Sequence, residues 1–328
     1  MILNKIGFYT LTEHRAKSVT NESPIMRSEI ILTDRCNLKC PYCRGLKNDI
    51  RGDINLQFTE NVLNILNKNK IQNIRFSGGE PTQYKNLFTL IHKCKLIGIK
   101  RIAISTNGTA DLKTYKHLIK LGVNDFSISL DSGCCSIGDK MAGGIKNSWN
   151  KAVESIRQLS KIVYITIGTV FNEYNVNNAY DTIKFIDSLN PSDIRVIPSA
   201  QYNQAIPQLV KLPKSILKKY SILNYRLHNF KNNIPFRGIQ KNDCSKCYLV
   251  LDDLAIAKDY HFPCIIYLRE GGNQIGKMNN DFRKERLEWF KKHNSFNDNI
   301  CKNNCLDVCR DYNNKVDFYV RKNARNII

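Results

Sequence analysis

Between residues 28 and 198, short apolar and β-branched runs alternate with longer stretches whose apolar positions recur at helical spacing. The runs at 28–33, 73–77, 101–106, 125–130, 163–170 and 193–197 read as strands. The stretches at 58–69, 84–98, 111–121, 148–160 and 176–189 read as helices; in the first of these Val62, Leu63, Ile65 and Leu66 mark one apolar face. Strict alternation of strand and helix predicts parallel strands joined by crossover helices. Six such strands predict an α/β fold with an open, partial (β/α)6 barrel of the TIM type rather than a closed ring.

Turn chemistry sharpens this expectation. Ser77-Gly78-Gly79, Thr106-Asn107-Gly108 and Leu130-Asp131-Ser132-Gly133 each follow a predicted strand directly. In parallel barrels the loops after the strands hold the active site, so these three predict one rim with a common pocket. The organisation expected is an N-terminal extension over 1–27, the partial barrel over 28–200, a Pro-punctuated connector over 201–243 with one helix near 213–221, and a small Cys-rich module over 244–328.

Composition narrows the class. Apolar residues make up 42% of the 328, enough to bury a core, which excludes disordered and low-complexity chains. No apolar run nears the roughly 20 residues that span a bilayer, so no membrane association is expected. Charges scattered through the first residues, with no small-residue cleavage site, argue against a signal peptide. A net charge of +21 suits an acidic partner, yet Lys, Asn and Ile richness also follows from an AT-rich genome. A nucleic-acid partner is therefore admissible but not favoured.

Twelve cysteines change the picture most. A cytoplasmic chain of this length needs no disulfide framework, so clustered cysteines point to metal or to chemistry. Cys36, Cys40 and Cys43 stand in a C-x3-C-x2-C spacing directly after the first predicted strand. Three thiolates on one loop suit three corners of a [4Fe–4S] cluster and leave its fourth iron open. Zinc is the alternative, but it favours paired C-x2-C units and a fourth ligand nearby.

TDRCNLKCPYC, then FSGGEPT, STNG and SISLD, together resemble the radical S-adenosylmethionine superfamily over 28–198. The resemblance implies that Cys36, Cys40 and Cys43 hold the cluster, whose open iron chelates S-adenosylmethionine. It implies that Tyr42 contacts the adenine and that Gly78, Gly79 and Glu80 line the methionine end. Ser105, Thr106, Asn107, Ser129 and Asp131 would contact the ribose and methionine groups, and the strand end from Val196 to Pro198 would border the adenine. Reduction of the cluster would then release a 5′-deoxyadenosyl radical that abstracts a substrate hydrogen atom. An electron donor such as flavodoxin or ferredoxin is implied, as is an oxygen-poor cytoplasm.

The module over 244–328 carries two further groups. Cys244, Cys247 and the distant Cys264 resemble the C-terminal part of the cyclase that begins molybdenum-cofactor synthesis. The likeness is incomplete: Glu29 stands where that family has an arginine, 248–251 reads YLVL where it has arginines, and the chain ends RNII rather than in paired glycines. That specific activity is therefore set aside. Cys301, Cys305 and Cys309, preceded by GNQIG at 272–276, resemble the SPASM and twitch modules, although the usual C-x2-C-x5-C spacing is missing. Those modules imply one or two auxiliary [4Fe–4S] clusters, with zinc as the alternative.

Cys134 and Cys135 follow the SISLD strand. One reading makes them hydrogen-atom donors that quench a substrate radical, as a radical epimerase needs; the other makes them small apolar filler. Cys94, on an amphipathic stretch, reads as core. Asp139, Lys140 and Met141 read either as a closing loop or as solvated surface. Asp252, Asp253 and His261 read either as groups orienting cluster ligands or as surface, and the lysines of 211–219 as a solvated face. The auxiliary module favours a peptide substrate, with an epimerised or cross-linked product. Against it, only 35 residues precede Cys36, which leaves no room for a peptide-recognition domain there. A sugar, a nucleoside or a nucleic acid is the alternative substrate, and an iron–sulfur carrier or sensor the non-enzymatic one.

Overall fold

The structure is a computed structural model that describes residues 12–200, 202 and 204–322. The expectations about the first eleven residues and the RNII ending lie outside the described residues. Strands β1 (Arg27–Thr33), β2 (Asn73–Gly78), β3 (Arg101–Thr106), β4 (Asp125–Ser129), β5 (Tyr164–Phe171) and β6 (Asp193–Pro198) lie side by side in chain order, and every adjacent pair is parallel. Helix α1 (Glu13–Ser18) precedes them, and α2 (Leu56–Lys68), α3 (Leu87–Leu96), α4 (Leu112–Leu121), α5 (Cys135–Met141), α6 (Ser148–Leu159) and α7 (Ala179–Ser188) fill the crossovers. This is the expected half-open (β/α)6 arrangement. Val62, Leu63 and Leu66 of α2 join Ile30, Leu32, Ile74 and Phe76 of the strands in one core, so the apolar stripe on the helix meets the apolar face of the sheet. Cys94 belongs to that core, as expected.

The sheet does not stop at β6 on one side and β1 on the other. Strand β7 (Asp253–Ala257) pairs with β1 in parallel, and β8 (Tyr260–Phe262) and β9 (Gly276–Lys277) continue antiparallel from it, giving nine strands. The sheet therefore crosses the expected boundary at 243/244. β1 becomes an inner strand with neighbours on both edges, and all seven of its residues are buried.

Helices α8 (Lys214–Lys219) and α9 (Ser221–Lys231) occupy the connector, where one helix is expected from sequence. Tyr220 between them has an extended backbone, and Asp193 at the start of β6 accepts the N–H of Ile222 at 3.1 Å, which starts the second helix. Helices α10 (Ile265–Arg269), α11 (Phe282–Lys292), α12 (Asn299–Asn304) and α13 (Asp307–Lys322) complete the C-terminal part. Its own small core gathers Leu249, Val250, Phe290, Val308 and Tyr312 with Ala16 and Val19 from the N-terminal segment. A buried ion pair between Arg15 and Asp252, and the Tyr312 hydroxyl donating to Asp252 at 2.9 Å, tie that segment to the Cys-rich module. Asp252, Asp253 and His261 are thus buried, not surface residues. Among the described residues no helix is long and apolar enough to cross a membrane.

Candidate functional site

The carboxyl ends of β1 to β4 and of β6 surround a cavity of about 270 Å³. Parallel strands point their carboxyl ends at one rim, which is why residues from such distant positions meet there. Cys36, Cys40 and Cys43 line it on the loop after β1, beside Tyr42, Gly78, Gly79, Ser105, Thr106, Asn107, Ser129 and Asp131. The cluster loop is held by the GGE segment. Gly79 N–H donates to the Thr33 carbonyl at 2.7 Å and Glu80 N–H to the Arg35 carbonyl at 2.8 Å. A Cβ on Gly79 would lie 2.3 Å from the Arg35 oxygen, so glycine is required by the loop itself.

Glu80 departs from its expected place. It is 1% exposed and does not appear among the residues lining the cavity. Its carboxylate turns inward and accepts from the Asn107 N–H and the Thr106 hydroxyl, both at 2.7 Å, and from Thr82 at 2.8 Å. Burial pushes its carboxyl up, and those donors pull it back. Glu80 thus straps the loop after β3 to the loop after β2 rather than facing a ligand. Asp131 does line the cavity; its carboxylate takes the Tyr42 hydroxyl at 2.5 Å and the Val170 N–H at 2.8 Å. Burial raises its carboxyl to about 6. Of Val196 and Pro198, neither lines the cavity; from β6 it is Arg195 that does. Trp149, Ser127, Glu29 and Arg269 also line it, and the sequence carries no motif that would single them out.

Cys134 and Cys135 are exposed, and neither is among the cavity-lining residues. Cys134 caps α5, its sulfur 3.6 Å from the hydroxyls of both Ser132 and Ser136. Asp139 is spent on capping α6 through Asn147, Ser148 and Trp149, Met141 is buried, and Lys140 lies 4.9 Å over the Tyr174 ring.

A second cavity, about 240 Å³, adjoins the first, with Glu29, Ser105 and Arg195 lining both. It is lined by Arg27, Arg44, Arg75, Arg195, Arg226 and Arg237 against Glu29 and Asp253. At its far wall stand Cys264 and Cys309, which also line a third, smaller space together with Cys247, Cys301 and Cys305. The remainder of that space is mostly apolar: Leu249, Ile266, Ile300 and Leu306. Cys244 is not among its lining residues; its thiol is engaged with the backbone of Lys246. The C-x2-C pair therefore splits, with only Cys247 directed into the group.

Burial pushes the Cys40 thiol up to about 12 and the Cys247 and Cys264 thiols up to about 12 and 11, with Cys301, Cys305 and Cys309 also raised. Crowded thiols without a cation stay protonated, and a bound metal reverses this outright. Soft donors gathered in two places, one on a loop and one in an apolar shell, fit iron–sulfur chemistry. His293 Nε2 lies 3.5 Å from Cys301, with Asp298 beside it, so a mixed donor set also exists at that edge.

Residues 30–186 match the family model described as Radical SAM superfamily. The chain is 31% identical over 153 residues to a GTP 3',8-cyclase of Staphylococcus epidermidis, a match covering 43% of each chain. It is 25% identical over 293 residues to a GTP 3',8-cyclase of Clostridium perfringens, covering 79% of this chain and 85% of that one. Matches such as the Staphylococcus epidermidis one thus span under half of the relative's length. Among solved structures, Streptococcus suis SuiB bound to precursor peptide SuiA superposes with a TM-score of 0.60 at 16% identity, over 83% of this chain and 65% of that one, a likeness of fold. With the three-cysteine loop, the GGE strap and the parallel half-barrel in place, residues 30–186 form a radical SAM domain.

Proposed function

We propose that this chain is a radical SAM enzyme acting on a small molecule held between two iron–sulfur sites. Cys36, Cys40 and Cys43 would hold the first [4Fe–4S] cluster, and four of Cys247, Cys264, Cys301, Cys305 and Cys309 an auxiliary one. When bound, the first cluster supplies the electron that splits S-adenosylmethionine and yields the adenosyl radical that takes a substrate hydrogen atom. The chain's own contribution is positioning. Ser105, Thr106, Asn107 and Ser129 offer hydroxyls, an amide and backbone groups to the cofactor. Glu80 fixes the loop that carries three of them. Asp131 clamps Tyr42, and through it the cluster loop, against β5.

The single observation that favours a small substrate is the second cavity. It adjoins the first across Glu29, Ser105 and Arg195, holds about 240 Å³, and is lined on another side by Cys264 and Cys309 of the auxiliary group. The relatives that carry a substrate in their names, the GTP 3',8-cyclases, point the same way. The peptide reading draws on the resemblance of the cysteine-rich module and on peptide-bound structural neighbours such as SuiB, at a level of likeness that speaks only for fold. An electron donor and an oxygen-poor cytoplasm follow from the cluster's open iron.

The test is anaerobic reconstitution followed by dithionite reduction with S-adenosylmethionine. Wild type should form 5′-deoxyadenosine and Cys40→Ala should form none; cleavage retained in that variant would overturn the reading.

A further inference from the structure

Where α11 ends and α12 begins, three donors of different chemistry face one another. His293 closes α11, Asp298 caps α12, and Cys301 stands in the first turn of α12. The His293 Nε2 lies 3.5 Å from the Cys301 sulfur, and these two atoms and a carboxylate oxygen of Asp298 all fall within 4.8 Å of one another. Among the described residues no other trio of histidine, cysteine or carboxylate donors is drawn that close. All three residues are half-buried, so an ion can reach them from solvent.

Each donor is held from behind. The His293 ring stacks on Trp289 at 3.9 Å, with 16° between the planes. The Tyr267 hydroxyl donates to Asp298 Oδ2 at 2.8 Å, and the Cys301 N–H donates to Oδ1 at 2.8 Å. An ionised carboxylate offers about four acceptor positions, so two remain for a cation. Outer partners of this kind orient metal ligands. Lys246, which borders the group, donates to the backbone carbonyls of Phe290, Lys291 and His293.

The 3.5 Å spacing decides what the nitrogen and the sulfur can share. A tetrahedral ion with sulfur at about 2.3 Å and nitrogen at about 2.0–2.1 Å sets those two donors about 3.5 Å apart. The corners of a [4Fe–4S] cluster take one protein ligand each and hold neighbouring ligands wider than a single ion does. Cys301 and His293 therefore fit one metal ion and not two corners of a cluster. Cys301 also lines the space ringed by Cys247, Cys264, Cys305 and Cys309, but four thiolates complete a cluster and it is the fifth.

We propose that His293, Asp298 and Cys301 form a mononuclear zinc site that adjoins the auxiliary cluster and shares no ligand with it, its fourth position open to water. This borderline cation suits one nitrogen, one oxygen and one thiolate, and its binding releases the Cys301 proton. The ion staples the turn between α11 and α12, and leaves Cys247, Cys264, Cys305 and Cys309 as the four cluster ligands. The site stands whatever the substrate is.

The test loads the full chain anaerobically with iron, sulfide and one equivalent of zinc, removes loose metal by gel filtration, and counts both metals. Wild type should keep one zinc beside about eight irons. His293→Phe, which keeps a ring against Trp289 without the nitrogen, and Cys301→Ser should each lose the zinc and keep all of the iron. X-ray absorption at the zinc edge should show one sulfur at about 2.3 Å with nitrogen and oxygen at about 2.0–2.2 Å. Zinc absent from wild type overturns the proposal and leaves a thiol–imidazole hydrogen bond. Four sulfurs around the zinc overturn it too, by placing the ion in the cysteine ring. So does loss of about four irons in Cys301→Ser, which would return that thiol to the cluster. Denaturant melts of the zinc-free proteins show whether His293→Phe folds as wild type does, and Cys301→Ser carries the same test if it does not. Zinc counting is independent of S-adenosylmethionine cleavage, so this proposal and the enzyme reading fail separately.

Discussion

The backbone N–H of Asn107 donates to Glu80 Oε2 at 2.7 Å, and this bond joins the loop after β3 to the loop after β2. With the Thr106 hydroxyl on the other oxygen, one buried carboxylate sets the position of two residues that line the first cavity. Glu80→Gln replaces one acceptor oxygen by an NH2 group, which then faces either a backbone donor or a hydroxyl. The expected cost is about 1–3 kcal/mol in chemical denaturation. Affinity for S-adenosylmethionine should fall alongside, while iron bound at the cysteine loop stays at the wild-type level. Undiminished affinity in the glutamine variant would mean that the strap does not order the cofactor pocket.

Gly79 gives a sharper steric prediction. Its Cβ would meet the carbonyl oxygens of Arg35 at 2.3 Å and Asp34 at 2.6 Å, both on the stem of the cluster loop. Backbone oxygens cannot move aside as a side-chain tip can, so Gly79→Ala must displace the loop. Overpacking of this kind costs about 1–3 kcal/mol. Iron content at the first site should drop by more than half after reconstitution. Gly144, with open space around its Cβ position but a φ of +80°, is the control: alanine there strains only its own turn and should leave iron content intact.

The half-barrel was legible because each of β1 to β6 announces itself by a short β-branched run between amphipathic helices. The three loops that follow β2, β3 and β4 were legible because Gly, Asn and Asp mark turns. Strand β7 was not, since 248–257 reads YLVLDDLAIA, two short apolar stretches split by Asp252 and Asp253, and only pairing with β1 makes the second a strand and leaves the first a turn. The arginine cavity was hidden for a different reason. Arg44 lies far along the chain from Arg226 and Arg237, and no local spacing brings a cluster loop, a helix and a connector together. Glu80 turns inward as a strap and the Cys244 thiol toward the Lys246 backbone, because a motif fixes which residues are present and not which way each one turns.

Cysteine geometry makes the auxiliary site testable residue by residue. Five thiols ring one apolar space and Cys244 stands outside it. Wild type should bind about eight irons, four at each site. Cys305→Ala, which removes one member of the ring, should retain about four. Cys244→Ala should retain all of them. An equal loss in both variants would restore the C-x2-C pair as a ligand pair and would require the segment before the turn at Tyr248–Leu251 to reorient on metal binding.

Asp193 ties stability to pH away from either cysteine site. Burial raises its carboxyl to about 6 in the folded chain, although the N–H groups of Ile194 and Ile222 favour the ionised form. A carboxyl raised on folding binds its proton more tightly in the native state, so the contribution is complete below the unfolded value near 3.8 and is lost as pH rises through about 6. Asp193→Asn mimics the protonated form at every pH. At pH about 4.5 the two proteins should unfold within about 1 kcal/mol of each other; by pH about 7.5 the variant should be the more stable by about 1–3 kcal/mol. Denaturant melts at the two pH values decide it. A variant less stable than wild type at the higher pH would mean that the backbone donors outweigh burial, and that Asp193 caps α9 as an ordinary ionised carboxylate.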